Sequence, residues 1–485
     1  MLDFMNKEKA QTNKSGFKHQ LNKELMFFQA KWLSINKYIR YFIEILILGT
    51  LLFFSIQPAL YKSWIAPGAD TPSYLITTKF IIDSFMEKGS LPFINPNWYC
   101  GFEILHSSPP FVYLPLCLIY FFFRDIMIAG EIAHYVFFIG IGLAGFFALK
   151  KKYSTLPALI SAFIFSTSPF IFGIIPSAGS YTRGLSFLLG ILSFYFVQKI
   201  AEKGLKEISS SIMLIILFSL IFLSHPMNAV VFIICWTFYY MFLLLLKKEL
   251  SVLRIFHWIA VCFLSLPLTA WYLLPFFTEK RSWMVLPMEV FEMYSVVNFV
   301  PRSIYEFGWP LLSLALIGIV IKWKEPEARA FILTGLLAAL FSLGVYFPIY
   351  KVIPIFRSVY PSFFLFFLSF ALSYLAAGTV EFILQKKGVK LFFLIPLLVS
   401  ILVFTFFNSR TIASTCLTIS DENDIAISNT IDEMSNKGRM MVIKPGFGYL
   451  LFNLSYYTDK PMVEGMYYSI SPLGKHLAWM YDAIR

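Results

Sequence analysis

Asp70 heads the densest run of polar and turn-forming residues in the chain, Ala66-Pro67-Gly68-Ala69-Asp70-Thr71-Pro72-Ser73-Tyr74. Pro67-Gly68 is a turn signal, and Pro72 suits the first turn of a following helix, which puts Asp70 or Thr71 at its N-cap. From Leu75 to Lys88 the apolar Phe80, Ile81 and Phe85 recur at helical spacing, with Asp83 and Glu87 on another face. One acid is thereby held between a turn and a helix. Alone, such an acid reads as a helix cap. The segments that follow give it a second reading as the polar centre of a shaped site. Gly89-Ser90-Leu91-Pro92, Asn95-Pro96-Asn97-Trp98-Tyr99-Cys100-Gly101 and Ser107-Ser108-Pro109-Pro110 form a rigid, aromatic, turn-rich loop.

Other chemistries lack a constellation. The six histidines (His19, His106, His134, His225, His257, His476) contain no H-x-H pair and no metal-ligand spacing. The five cysteines (Cys100, Cys117, Cys235, Cys262, Cys416) contain no C-x-x-C, and Cys235 and Cys262 read as small buried hydrophobes.

The elements that must position Asp70 are membrane helices. Of the 485 residues 58% are apolar, 14% charged and 19% aromatic, against about 45–50% apolar and about 25% charged in soluble domains. That excludes a disordered chain, a disulfide-dense mini-protein and a soluble multidomain enzyme. The net charge of +12 then records cytoplasmic lysines rather than a nucleic-acid partner. The first 40 residues are too long and too charged for a cleaved signal peptide, so the first apolar run reads as a signal anchor.

Hydropathy predicts an all-α polytopic membrane protein with about eleven spans, near 41–60, 131–149, 156–175, 184–199, 211–224, 228–246, 254–277, 309–323, 329–347, 361–384 and 390–407. The run 111–123 is short, carries Pro115, ends at Arg124-Asp125 and is read as an interfacial helix. With the N-terminus inside, 23 of the 40 Lys and Arg fall on inner segments and ten on outer loops. Positive-inside orientation therefore predicts N-in and C-out. Three regions follow: a cytoplasmic polar N-terminus (1–40), a transmembrane domain (41–407) with a long helical first outer loop (about 61–130), and an extracytoplasmic C-terminal region (408–485). The last is read as a small α+β piece cut short, because 479–485 still has amphipathic helical character. Glu44, within about a turn of the inner end of the first span, is expected to snorkel.

The Asp after the first span, the amphipathic helix, G-x-L-P, N-W-Y-x-G and S-P-P-F-x-Y together resemble the first outer loop of the 6-pyruvoyl-tetrahydropterin synthase-related membrane proteins. His225-Pro226 at a span end and Phe356-Arg357 opening the tenth span extend the resemblance over roughly residues 40–385. That family is similar in layout to the GT-C glycosyltransferases, which use lipid-phosphate-linked sugars. The resemblance implies inverting sugar transfer from a polyprenyl-phosphate carrier to a glycan, lipid or protein acceptor at the outer face of the plasma membrane. Asp70 matches the catalytic base, since an acceptor hydroxyl must lose its proton as oxocarbenium character develops. The leaving phosphate needs cationic donors, for which Arg183, Arg302 and Arg357 are the outer-face candidates. Tyr74, Trp98 and His225 complete the expected substrate-binding set.

Two departures bear on metal. Tyr74 stands where relatives commonly place a His, and Ser177-Ala178-Gly179-Ser180-Tyr181-Thr182-Arg183 lacks the carboxylate that metal-dependent members of the broader class supply. No metal or other cofactor is therefore expected, although Glu103 is a further acid that a divalent ion would draw on. The competing readings are a transporter or lipid flippase and a non-catalytic envelope protein. A transporter calls for ionisable or helix-breaking residues at mid-membrane, whereas the polar residues here crowd the outer loops.

Overall fold

The computed structural model describes residues 36–60, 70–95, 102–104, 108–278, 308–353, 356, 359–385 and 389–414. In chain order they form α1 (Lys37–Leu60), α2 (Thr71–Lys88), the two-residue strands β1 (Ile94–Asn95) and β2 (Phe102–Glu103), and α3 (Tyr113–Phe123). Next come α4 (Ile126–Lys150), α5 (Thr155–Ser166), α6 (Pro169–Phe172), α7 (Tyr181–Lys203), α8 (Ile208–Ser224), α9 (Pro226–Lys247), α10 (Val252–Leu264) and α11 (Ala270–Thr278). The last group is α12 (Trp309–Lys322), α13 (Pro326–Ser342), α14 (Ile349–Val352), α15 (Phe364–Gln385) and α16 (Val389–Ser414). Strands β1 and β2 pair antiparallel, Ile94 opposite Glu103.

Each of the eleven expected spans falls on a helix or a broken helix pair. Among the described residues seven segments are long and apolar enough to cross a bilayer unaided, and eight if α5 and α6, bent by 49°, make one span. Helices α8, α12 and α13 have 17, 14 and 17 residues. At 1.5 Å per residue they reach roughly 21–26 Å, short of a hydrocarbon core of about 30 Å. Among the described residues, helix length by itself thus supports seven or eight of the eleven expected spans. Helix α3, with 11 residues, is shorter still. It stops at Arg124 in the left-handed region (φ 54°), and the Asp125 carboxylate then caps α4 by accepting from the Met127 and Ile128 amides at 2.8 and 3.1 Å.

Helix α15 is the axis of the bundle. In its most apolar window 89% of residues are buried, against 28% in α1 and 17% in α16, which turn apolar faces outward. Around α15 the rings of Phe194 (α7), Trp236 and Tyr239 (α9) and Phe331 (α13) interlock with Phe367, Phe370 and Tyr374. The Phe331–Tyr374 centroids are 4.2 Å apart and those of Tyr239–Phe331 4.5 Å. Helix α12 reaches α15 only because residue 318 is glycine: a Cβ there would lie 2.1 Å from the Leu375 carbonyl oxygen. Thr379 confirms the approach by donating to the Leu314 carbonyl at 2.6 Å.

Where α4 and α7 end, ion pairs replace aromatic packing. Lys152 meets Glu327 at 3.0 Å and Glu325 at 3.5 Å, and Lys322 meets Glu325 at 2.9 Å and Glu381 at 3.2 Å. Glu44 belongs to this end and does not snorkel. It is 1% exposed, pairs with Lys150, and accepts from the Thr155 hydroxyl at 3.1 Å. An internal partner for the charge removes the need to reach water.

Helix α16 runs on to Ser414, past the expected boundary at 407. The polar N-terminus through residue 35, the loop 279–307 and the α+β expectation beyond residue 414 lie outside the described residues.

Candidate functional site

Asp70 occupies the N-cap position of α2 (φ −87°, ψ −15°), yet its side chain makes no capping hydrogen bond. It points its chemistry elsewhere. The backbone amide donates to the Ala178 carbonyl at 2.8 Å, joining the start of α2 to the turn before α7. The carboxylate feels the positive charge of Arg183 and, more weakly, the nearby Ser180 hydroxyl. Burial pushes the Asp70 carboxyl above the usual range, while Arg183 and Ser180 pull it partly back.

The turn that brings this about is built by residues 173–180. Pro176 sits inside a single π-turn, Gly173–Ser177, and Gly179 reverses the chain at φ +63°. That left-handed residue lets Ala178 face the Asp70 amide while Ser180, next in line, faces the Asp70 carboxylate.

The first turn of α7 is then locked in place. Tyr74 is 4% exposed and hydrogen-bonds Thr182 across 2.9 Å, with its ring 5.5 Å from that of Tyr181. The Tyr181 hydroxyl lies 2.7 Å from His134 Nδ1 and donates to the Gly130 carbonyl at 3.1 Å. Tyr74 therefore braces α2 against α7 with a buried hydroxyl.

Arg183 follows within the same turn, half-buried, its guanidinium 5.1 Å from the centroid of Phe363. Among the described residues its N–H groups donate to no oxygen. A cation at a helix N-terminus opposes the macrodipole, so this placement adds positive potential where an anion is attracted already. His225, the N-cap of α9, sets its ring edge-on to the same Phe363, 5.2 Å away at 83°. Its Nδ1 accepts from the Asn228 amide at 3.3 Å. Burial and the neighbouring Arg183 lower its pKa to about 3, so the ring is neutral. Asn228 in turn donates through Nδ2 to the Ser186 hydroxyl at 2.7 Å, and Ser186 donates to the Arg183 carbonyl at 2.9 Å.

The Arg183 charge thus acts on both Asp70 and His225, residues far apart in the chain. Arg302, Arg357 and Trp98 lie outside the described residues. Ser180 stood in a stretch noted only for lacking an acid, and Asn228 stands three residues after His225, the spacing of an N-cap partner. Phe363 carried no signal, because one phenylalanine among 55 does not announce itself. Around the Asp70 carboxylate the partners are a hydroxyl and a guanidinium, and no group of three or more His, Cys, Asp or Glu that could hold a metal occurs among the described residues.

The fold is similar to those of solved structures of two proteins. The oligosaccharyltransferase of Archaeoglobus fulgidus in its apo form superposes with TM-score 0.55 at 11% identity, over 82% of this chain and 59% of that one. The same enzyme tethered with an acceptor peptide gives 0.54 at 11% identity, over 86% and 59%. ArnT from Cupriavidus metallidurans bound to undecaprenyl phosphate gives 0.53 at 11% identity, over 92% and 89%. The chain spans about 59% of the archaeal enzyme's length, and identities this low speak for the fold alone. No curated protein matches. The family model for the 6-pyruvoyl-tetrahydropterin synthase related domain, described as a membrane protein, matches residues 108–412. The match takes in Arg183, His225 and Phe363 and begins after Asp70, so it is shifted relative to the expected 40–385 and leaves most of the first-loop signature outside. With more than half its length so matched, the chain belongs to the 6-pyruvoyl-tetrahydropterin synthase-related family of membrane proteins.

Proposed function

We propose that the protein is an inverting glycosyltransferase that moves a sugar from a polyprenyl-phosphate carrier to an acceptor hydroxyl or amide, with Asp70 as base. The observation that carries this reading is the Asp70 side chain, which holds a helix N-cap position, forgoes the cap, and faces Ser180 and Arg183 instead. A carboxylate with a raised pKa is a stronger base than an ordinary Asp, and the nearby guanidinium keeps a share of it ionised. In the step proposed, the acceptor proton passes to an Asp70 oxygen as the acceptor atom bonds the anomeric carbon. The bond from that carbon to the phosphate oxygen breaks, and its electron pair leaves on the phosphate. Arg183 opposes the charge that develops there. Partial burial beside the Phe363 ring strengthens the Arg183 interaction.

Further support comes from the company the fold keeps. One similar structure holds undecaprenyl phosphate and another a tethered acceptor peptide, consistent with a carrier-linked donor here and a glycan, lipid or protein acceptor. The proposal places the site at the outer face of the plasma membrane, N-terminus inside, with Arg302, Arg357 and Trp98 as further substrate contacts and without need of a metal. The test is to supply the purified chain with polyprenyl-phosphate sugars and follow the carbohydrate by NMR. Product of inverted anomeric configuration, with one polyprenyl phosphate released per transfer, supports the reading. Retention of configuration, or no turnover with any polyprenyl-phosphate sugar, defeats it.

A further inference from the structure

We propose that the first turn of α12 ends on a buried water site, walled by the α5–α6 break and by α16, and that this water completes α12 as a membrane span. The site is independent of the sugar-transfer reading. The need for it follows from length. Lys322, at one end of α12, sits among ion pairs with Glu325 and Glu381. From there the 14 residues of α12 rise roughly 21 Å and stop about 9 Å short of the far edge of the hydrocarbon. The first-turn amides then lie where lipid cannot satisfy them. The helix start supplies no cap of its own. Gly308, the N-cap residue, has no side chain to accept from these amides, and Pro310 removes only one donor.

A cavity lies against this turn, with room for one water-sized molecule, about 20 Å³; a buried water needs roughly 10–15 Å³. Around it Gly308 and Leu311 meet Thr167 and Ser168 from the α5–α6 break and Thr405 and Asn408 from α16. Gly308 is drawn close to the break: a Cβ on it would lie 3.4 Å from Pro169 Cδ. Ser168 is 2% exposed, and among the described residues its hydroxyl has no hydrogen-bond partner. The Asn408 side chain makes no hydrogen bond among the described residues either. Thr167 and Thr405 donate to the Phe163 and Ile401 carbonyls at 2.6 and 2.7 Å, which leaves their oxygen lone pairs for a donor. Amide donors, hydroxyl acceptors and a carboxamide around one small space call for a ligand that donates and accepts at once. Among the described residues no charged side chain lines the cavity, so an ion finds no counter-charge. Water meets both conditions.

Substitution tells a water site from a dry gap by the sign of its effect. Removing a partner of a bound water lowers stability, whereas removing a polar group that faces only hydrocarbon raises it. In thermal unfolding of the full chain in nanodiscs, Ser168→Ala and Asn408→Leu are each expected to melt about 2–4 °C below wild type. Water-edited solid-state NMR of the wild-type protein in bilayers should carry magnetisation from water to the Leu311 amide. That wild-type spectrum decides the question even where a variant fails to fold. A melting temperature at or above wild type in either variant overturns the site. So does a Leu311 amide that is polarised from the lipid acyl chains and not from water.

Discussion

The Asp70 amide and the Ala178 carbonyl are joined by a 2.8 Å hydrogen bond, and through it the helix that follows the first span is fastened to the turn that opens α7. That single contact puts a carboxylate beside a guanidinium 113 positions along the chain, since Gly179 turns Ser180 and then Arg183 toward it. The consequences concern stability, pH, phosphate binding and packing.

Asp70 should lower the stability of the fold. A carboxyl whose folded pKa is raised prefers its protonated form in the folded state. Its contribution is complete below the unfolded value and is lost as pH rises through the raised value. Asp70→Asn, neutral and of the same shape, should therefore melt at or above the wild-type temperature at pH 7. The wild type should approach the variant as the pH is lowered. Thermal unfolding in detergent at several pH values reads both.

The same shift sets the acid side of the rate profile. The base must be ionised, so turnover should fall as pH drops through the raised Asp70 pKa, at higher pH than an unperturbed Asp would show. Arg183 pulls that value down, and replacing it by Gln should move the acid limb further upward. A limb that stays put in Arg183→Gln would separate the two residues.

Arg183 should also govern binding of the carrier. Arg183→Gln is expected to weaken undecaprenyl phosphate binding by roughly 10- to 100-fold, and Arg183→Lys by less, because an ammonium keeps the charge and gives up the bidentate fork. Isothermal titration in nanodiscs measures each.

Two positions far from the site test the packing that carries it. Gly318→Val would press a Cβ into the Leu375 carbonyl and should destabilise the chain by about 3 kcal/mol, visible as lost expression and a lower melting temperature. Glu44→Gln leaves Lys150 without its buried counter-charge and should cost about 3 kcal/mol, with phosphate binding unchanged in whatever folds.

How far the sequence reveals this protein depends on which force is at work. Apolar runs are written residue by residue, so every expected span lies on a helix. Bilayer crossing depends on length as well, and α12 with its 14 residues is long enough to register as apolar and too short to span alone. Asp70 was legible because Pro67-Gly68 and Pro72 bracket it, and Arg183 and His225 because a charge and a His-Pro at span ends stand out. The sequence also misled. Tyr74, expected among the substrate-binding residues, is buried against Thr182, and Glu44 looked free to snorkel and is paired with Lys150. Both outcomes are set by partners more than a hundred positions away. Ser180 and Phe363 were invisible for the same reason: what singles them out is which neighbours the bundle brings to them, not their type.

The most direct measurement compares Asp70→Asn with wild type in single-turnover transfer from a polyprenyl-phosphate sugar, at matched folded protein. A fall in the chemical step of roughly 100-fold or more, with undecaprenyl phosphate binding and melting temperature retained, is what a proton-accepting Asp70 predicts. Transfer at the wild-type rate by a well-folded Asp70→Asn protein would contradict it.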